Sequence, residues 1–235
     1  MNIIHIDDPA VNDLILHEFN KEFVGVVLQF NQVYALIAPS NEYGVQSLNT
    51  IKQRLANKFY SSIFGSFKNI LNIHGIHLPD IFHDASAVTD FFKGSFLRFD
   101  LTDKLFDSPT VHNGTHQTYI SNDNISKLVD TIYRYLPKAP NPLFNGIGFN
   151  PIICTSANLS GDTRGAITTE EEAIAFAKKR NINLFIKNDT SFSPRGSYPI
   201  FQIKNDKLHV ARNINMDSFL KGKENSEFFN KVTLD

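Results

Sequence analysis

Residues 151–161 (PIICTSANLSG) begin as an apolar run and end abruptly in small and polar residues. The run is rich in β-formers and predicts a buried strand. The hydroxyl and amide side chains that follow would lie just past the strand's carboxyl end, where open α/β sheets bind ligands. Short side chains also let backbone N–H groups approach an anion. Taken alone, the stretch is better explained as an ordinary Ser/Asn turn.

A second polar cluster is predicted at the end of a helix. The pattern indicates a helix that is capped at residue 40 or 41 and runs to about residue 55, with Lys52, Arg54 and Lys58 near its end. Cations there interact favourably with the C-terminal end of the helix dipole, which is a purely structural explanation.

The sequence motifs that contain these two clusters resemble those of a known family. Thr-Ser-Ala-Asn-Leu-Ser-Gly at 155–161 is similar to the signature of the YrdC-like family, the threonylcarbamoyl-adenylate synthases of tRNA modification. The second motif is a strand carrying Val-Tyr-Ala-Leu (33–36), followed by a helix ending in Ile-Lys-Gln-Arg-x3-Lys (51–58). The two motifs lie about 100 residues apart and occur in the family's order.

The resemblance implies an α/β (or α+β) fold of the YrdC/RibB-like kind, a twisted mixed β-sheet surrounded by helices in a single domain. It covers residues 23–213, so residues 1–22 are interpreted as an N-terminal helical extension and residues 214–235 as a C-terminal helical tail. A strand is expected within residues 91–101, where Gly94 to Phe99 resembles a family strand but lacks its Pro and Thr.

The activity implied by the resemblance is nucleotidyl transfer. L-Threonine, bicarbonate or CO₂, and ATP would give threonylcarbamoyl-AMP and pyrophosphate. Such chemistry requires two anions to be positioned side by side and charge to be neutralised as pyrophosphate leaves, without a protein nucleophile. Magnesium would be carried chiefly by the ATP phosphates, with no metal ligand from the protein.

The family's site residues map onto this sequence motif by motif. The predicted catalytic set is Lys52, Arg54, Ser156 and Asn158. The predicted nucleotide-binding set is Lys58, Thr155, Arg195 and Arg212. Tyr34 and Gln32 are predicted to bind the amino-acid substrate.

Three segments depart from the family pattern. Residues 29–32 (QFNQ) replace a Pro-Thr-Asp/Glu-Thr strand that helps to bind threonine in the family. Residues 119–121 (YIS) lack the family's arginine, and residues 198–200 (YPI) replace its Ser-Thr/Glu-Ile strand and lose a hydroxyl near the nucleotide. Two alternatives follow from these changes. One is a related carbamoyl-adenylate enzyme or carbamoyltransferase acting on another amine, and the other is a non-catalytic nucleotide- or RNA-binding module.

The net charge and the distribution of apolar residues indicate which partners and which cellular location to expect. A net charge of −1 provides no global field for nucleic acid, so any contact with tRNA would be local, and tRNA-modification proteins are further candidate partners. No apolar stretch approaches the ~20 residues that span a bilayer, the start lacks a secretory pattern, and there is one cysteine, Cys154. We therefore expect a cytoplasmic protein without membrane contact.

The histidines at 74, 77, 83, 112 and 116 have no convincing zinc-ligand spacing.

Overall fold

Twelve strands form one mixed sheet in the part of the chain that the structure, a computed structural model, describes: residues 1–55, 58–71, 73, 78, 80–101, 105–121, 123–189, 196–204, 207–214 and 216–233. The strands are β1 (Asn2–His5), β2 (Val26–Gln29), β3 (Tyr34–Pro39), β4 (Ser61–Phe64), β5 (Ser95–Asp100), β6 (Val111–His112), β7 (Thr115–Ile120), β8 (Ile152–Ser156), β9 (Leu184–Lys187), β10 (Ile200–Lys204), β11 (Lys207–Arg212) and β12 (Val232–Thr233). Their order is β1-β9-β2-β3-β8-β4-β7-β5-β10-β11-β12, and β6 pairs with β7.

Helices join the strands, as the resemblance predicts. They are α1 (Val11–Phe19), α2 (Glu42–Lys52), α3 (Lys68–Leu71), α4 (Ala85–Phe92), α5 (Asp123–Tyr135), α6 (Glu170–Lys179) and α7 (Met216–Leu220), with single 3₁₀ turns at Asp80–Phe82, Pro142–Phe144 and Phe229–Lys231. A mixed sheet combined with helices confirms the predicted fold class.

The strand predicted around Cys154 lies in the interior of the sheet. It is β8, which runs antiparallel to both of its neighbours, β3 and β4. The side chains from Ile152 to Cys154 are buried, whereas Thr155 and Ser156 at the strand's end are only partly covered. Burial raises the pKa of the Cys154 thiol to about 12, so this cysteine is an inert part of the core.

The helix that carries Lys52 is bounded by two local signals. At its start, Asn41 Oδ1 accepts a hydrogen bond from the Gly44 amide (2.8 Å), and a Cβ on Gly44 would lie only 2.1 Å from the Pro39 carbonyl oxygen. At its end, Gln53 adopts a left-handed conformation (φ 49°). The helix therefore ends at Lys52 rather than near residue 55, and the chain turns back towards β8.

Several elements differ from the prediction. The strand expected from Gly94 to Phe99 is present as β5, displaced by one residue after the positive-φ glycine at Gly94 (φ 80°), and the preceding Phe91 and Phe92 belong to α4. Both flanking segments add to the sheet: β1 pairs with β9, and β12 pairs with β11. Among the described residues of the tail, α7 and one 3₁₀ turn are helical. The domain boundaries at residues 22 and 213 stay predictions.

Within the described ranges, no helix combines the length and the apolar character needed to cross a membrane.

Candidate functional site

Lys52 connects the two motifs directly. Its side chain is only 2% exposed, and its ammonium donates to the Ser156 carbonyl (2.5 Å), the Asn158 carbonyl (2.7 Å) and Asn158 Oδ1 (3.2 Å). In return, the Ser160 amide donates to the Lys52 carbonyl (2.9 Å). Burial, and then the Arg54 charge, lowers the pKa of Lys52 to about 7. All three ammonium hydrogens have protein acceptors, so in this geometry Lys52 positions the turn after β8.

Arg54 reaches the same turn from the other side of Gln53. One Nη donates to Thr155 Oγ1 (3.3 Å) and the other to the Phe59 carbonyl (2.7 Å), while the guanidinium carbon lies 4.3 Å from the centroid of the Tyr60 ring. Burial lowers the pKa of Arg54 below its ordinary value. Its Nε is buried and has no hydrogen-bond partner in the described part of the chain. An anion could satisfy this donor at little cost.

The polar side chains after β8 are held by one another. Ser156 Oγ donates to Asn158 Oδ1 (2.5 Å), and Asn158 Nδ2 donates to the Leu159 carbonyl (3.0 Å). The structure thus brings together all four residues predicted as catalytic, together with Thr155. Their roles in catalysis stay predictions.

Of the two predicted substrate-binding residues, Tyr34 begins β3 and Gln32 lies in the turn between β2 and β3. The Tyr34 hydroxyl is buried, and this burial, followed by the charges of Glu170 and Glu171, raises its pKa to about 12. The backbone N–H of Gln32 donates to the Tyr198 hydroxyl (3.1 Å). The side-chain oxygen of Gln32 is buried and accepts no hydrogen bond from a described residue, which suits a ligand N–H.

Two of the predicted nucleotide-binding residues line a cleft of about 560 Å³, which is also lined by Phe59 and Tyr60, the residues that Arg54 contacts. Lys58 and Arg212 both line it, and Arg212 also donates to Ser197 Oγ (2.9 Å). Arg195 lies outside the described residues. The cleft contains a third cation that sequence reasoning missed, Arg98 on β5, because its place depends on strand register and not on a motif.

The three segments that depart from the family pattern also meet in space. Phe30, Tyr119 and Tyr198 are buried and, with Phe96, form an aromatic cluster. Ring centroids lie 5.1 Å apart for Phe30 and Tyr119, 5.1 Å for Phe96 and Tyr119, and 4.8 Å for Tyr119 and Tyr198. Three segments that are far apart in the sequence are thus joined by mutually packed rings.

His116 lies at the floor of the cleft as a buried, neutral imidazole. Its Nε2 lies 2.8 Å from Ser62 Oγ and its Nδ1 lies 2.8 Å from the Thr110 carbonyl. The Thr110 carbonyl requires a proton on Nδ1, so Nε2 of the neutral ring has a lone pair and accepts from the Ser62 hydroxyl, which otherwise donates to Thr118 Oγ1 (2.9 Å). Burial, opposed by the bond to Thr110, lowers the pKa of His116 to about 4.

This shift predicts acid sensitivity of the fold. Between pH 6.5 and 4 the unfolded chain binds a proton at His116 that the folded chain excludes, so stability falls as pH falls, by roughly 3 kcal/mol from this group. Urea unfolding from pH 7.5 to 4 would measure the loss. His116→Gln should show a shallower pH dependence than the unmodified chain, and parallel curves would contradict the assignment.

Structural comparison shows that the fold is YrdC-like. No protein-family model and no curated protein matches the chain. Sua5 from P. abyssi, solved in complex with L-threonine, superposes with a TM-score of 0.67 at 15% identity, over 94% of this chain and 60% of Sua5. E. coli YciO gives 0.62 at 13% identity, over 90% and 94% of the two chains. HypF, in a phosphate- and nucleotide-bound form, gives 0.59 at 14% identity, over 86% of this chain and 28% of HypF.

These values show a shared fold at low sequence identity. The chain spans about three fifths of the length of Sua5. The YrdC-like fold predicted from the two motifs is confirmed, in a divergent sequence.

Proposed function

We propose that this protein is an ATP-dependent synthase of a carbamoyl-adenylate, with L-threonine and bicarbonate as the first candidate co-substrates and threonylcarbamoyl-AMP for tRNA modification as the product. The observation that carries the proposal is the junction of Lys52 and Arg54 with the hydroxyl and amide groups after β8. Residues about 100 positions apart form one polar site there, at the end of an otherwise buried strand.

Each residue has a role in this proposal that follows from its contacts. Lys52 fixes the turn, and the Arg54 guanidinium and the Thr155 and Ser156 hydroxyls face the phosphates as charge develops on pyrophosphate. The unpaired Arg54 Nε supplies a donor for an anion, and the unpaired Gln32 oxygen supplies an acceptor for the amine. A bound magnesium ion would neutralise phosphate charge, held by the ATP itself.

A second candidate is the same reaction with another amine. It is favoured by the aromatic cluster of Phe30, Phe96, Tyr119 and Tyr198, which occupies the positions where the sequence departs from the family's threonine-binding pattern. The rings of Phe30 and Phe96 offer no hydrogen-bond partner for a threonine hydroxyl. The Sua5 structure with L-threonine supports an amino acid as the substrate class, and the rings favour a less polar one.

The test is pyrophosphate release from ATP and bicarbonate with each of the twenty amino acids in turn. We expect release with at least one of them, and a loss of at least about 100-fold in Arg54→Gln, because this change removes a charged contact to the leaving phosphates. Release with threonine alone would support the first candidate, and release with another amino acid the second. ATP binding without release in any mixture would contradict both and indicate a binding module. tRNA contact and a cytoplasmic location remain proposals.

A further inference from the structure

The cleft lined by Lys58 and Arg212 concentrates positive charge that no described carboxylate neutralises. Lys58, Arg98 and Arg212 line it, and none of its described lining residues is an aspartate or a glutamate. No described carboxylate forms an ion pair with any of the three. Burial, and then the Arg212 charge, lowers the pKa of Arg98. Cations that repel each other at close range are stabilised by a bound anion.

Arg98 is also held in place for binding. Its Nε donates to Gln117 Oε1 (2.7 Å), and Gln117 Nε2 donates to Ser61 Oγ (2.8 Å). This relay fixes the plane of the guanidinium and uses only one of its three nitrogens. No hydrogen bond joins the two Nη atoms of Arg98 to another described residue, so four N–H groups are available to a ligand.

The sheet register extends this arrangement into a row. Arg98 on β5 lies opposite Gln117 on β7 and opposite Gln202 on β10. Gln117 in turn reaches Ser61 on β4, so four neighbouring strands each place a polar side chain on the same face of the sheet. The row lines the cleft, and a phosphate chain lying along it would meet donors at successive strands, spaced about 4.8 Å apart.

One end of the cleft also has an aromatic surface. The rings of Phe59 and His112 stack with centroids 4.7 Å apart, and both residues line the cleft and remain partly exposed. Exposed stacked rings are suited to a nucleobase. A volume of about 560 Å³ lies within the range of sites for cofactor-sized ligands.

We propose that Arg98, supported by Gln117 and assisted by Lys58 and Arg212, binds the polyphosphate chain of a nucleoside triphosphate in this cleft. The inference deepens the proposed function, because it names a contact to the nucleotide that neither sequence motif contains.

The test is calorimetric titration of the full chain with inorganic tripolyphosphate, ATP and AMP. We expect tripolyphosphate and ATP to bind at least 10-fold more tightly than AMP. Arg98→Gln should weaken both by about 10- to 100-fold, the usual effect of losing a charge-assisted contact. Arg134→Gln, an exposed arginine of α5 that does not line the cleft, should change neither by more than about 2-fold.

Arg212→Gln provides an independent second variant, because Arg212 is exposed and its replacement does not disturb the core. Unchanged affinity for tripolyphosphate and ATP in both cleft variants would overturn the proposal. So would a result in which millimolar tripolyphosphate does not bind and RNA binds in a way that requires Arg98. Arg98-dependent binding without product from any amino acid would support this site and contradict the proposed synthase. Turnover by Arg98→Gln with an unchanged KM for ATP would support the proposed synthase and contradict this site.

Discussion

Replacing Lys52 by methionine is expected to destabilise the fold by about 3 kcal/mol and to lower any pyrophosphate release by at least 100-fold. The variant keeps the length and much of the volume of the side chain but removes the ammonium. Two backbone carbonyls and Asn158 Oδ1 would then be buried without their donor, and the turn after β8 would lose its link to α2. Urea unfolding and the pyrophosphate assay measure the two effects separately.

Lys127→Met is the matched control, since Lys127 is exposed on α5 and the same chemical change there should cost less than about 0.5 kcal/mol. If Lys52→Met unfolded at the same urea concentration as the unmodified chain and kept its turnover, the positioning role of Lys52 would be wrong. Loss of turnover without loss of stability would instead indicate direct contact between Lys52 and the substrate.

Replacing Tyr119 by alanine is expected to cost about 4 kcal/mol, because the ring is fully buried and packs against Phe30, Phe96 and Tyr198. Tyr119→Phe keeps the ring and should cost less than about 1.5 kcal/mol. Tyr135→Ala removes an equally large side chain that is 68% exposed, and its effect should be small. The free energy of unfolding in urea ranks the three variants.

The cavity left in Tyr119→Ala provides a second measurement. p-Cresol, which has the shape of the missing side chain, should raise the thermal midpoint of this variant in proportion to its occupancy and leave that of Tyr135→Ala unchanged. Equal destabilisation by Tyr119→Ala and Tyr135→Ala, or the absence of any p-cresol effect, would show that the cluster is not a packed unit.

The parts of the site that sequence predicted are those with local signals. An apolar β-rich run followed by small polar residues identified β8 and its turn, and the asparagine cap with the basic end identified α2. The family resemblance then related the two, and the Lys52 contacts show that they meet. The end of α2 was placed about three residues late, because Gln53 has no glycine-like signature for its left-handed conformation.

The parts that sequence missed depend on contacts between distant strands. Arg98 reads as an ordinary solvent-facing residue of an alternating strand, and only its register with Gln117 and Gln202 places it in the cleft. The aromatic cluster likewise requires four separate segments to converge. Short terminal strands such as β1 and β12 gain their stability from partners far along the chain, so their own residues give a weak signal.

The position of β8 has a consequence for how the chain folds. β3 and β4 are separated by only about twenty residues, yet they are joined in the sheet solely through β8, which follows almost ninety residues after β4. A growing chain can close the β2–β3 hairpin early, but its sheet stays divided until residue 156 has been synthesised. Until that moment the Lys52 ammonium lacks its acceptors. We expect the late, long-range insertion of this strand to be slow, and it joins the two parts of the sheet and forms the candidate site in the same step.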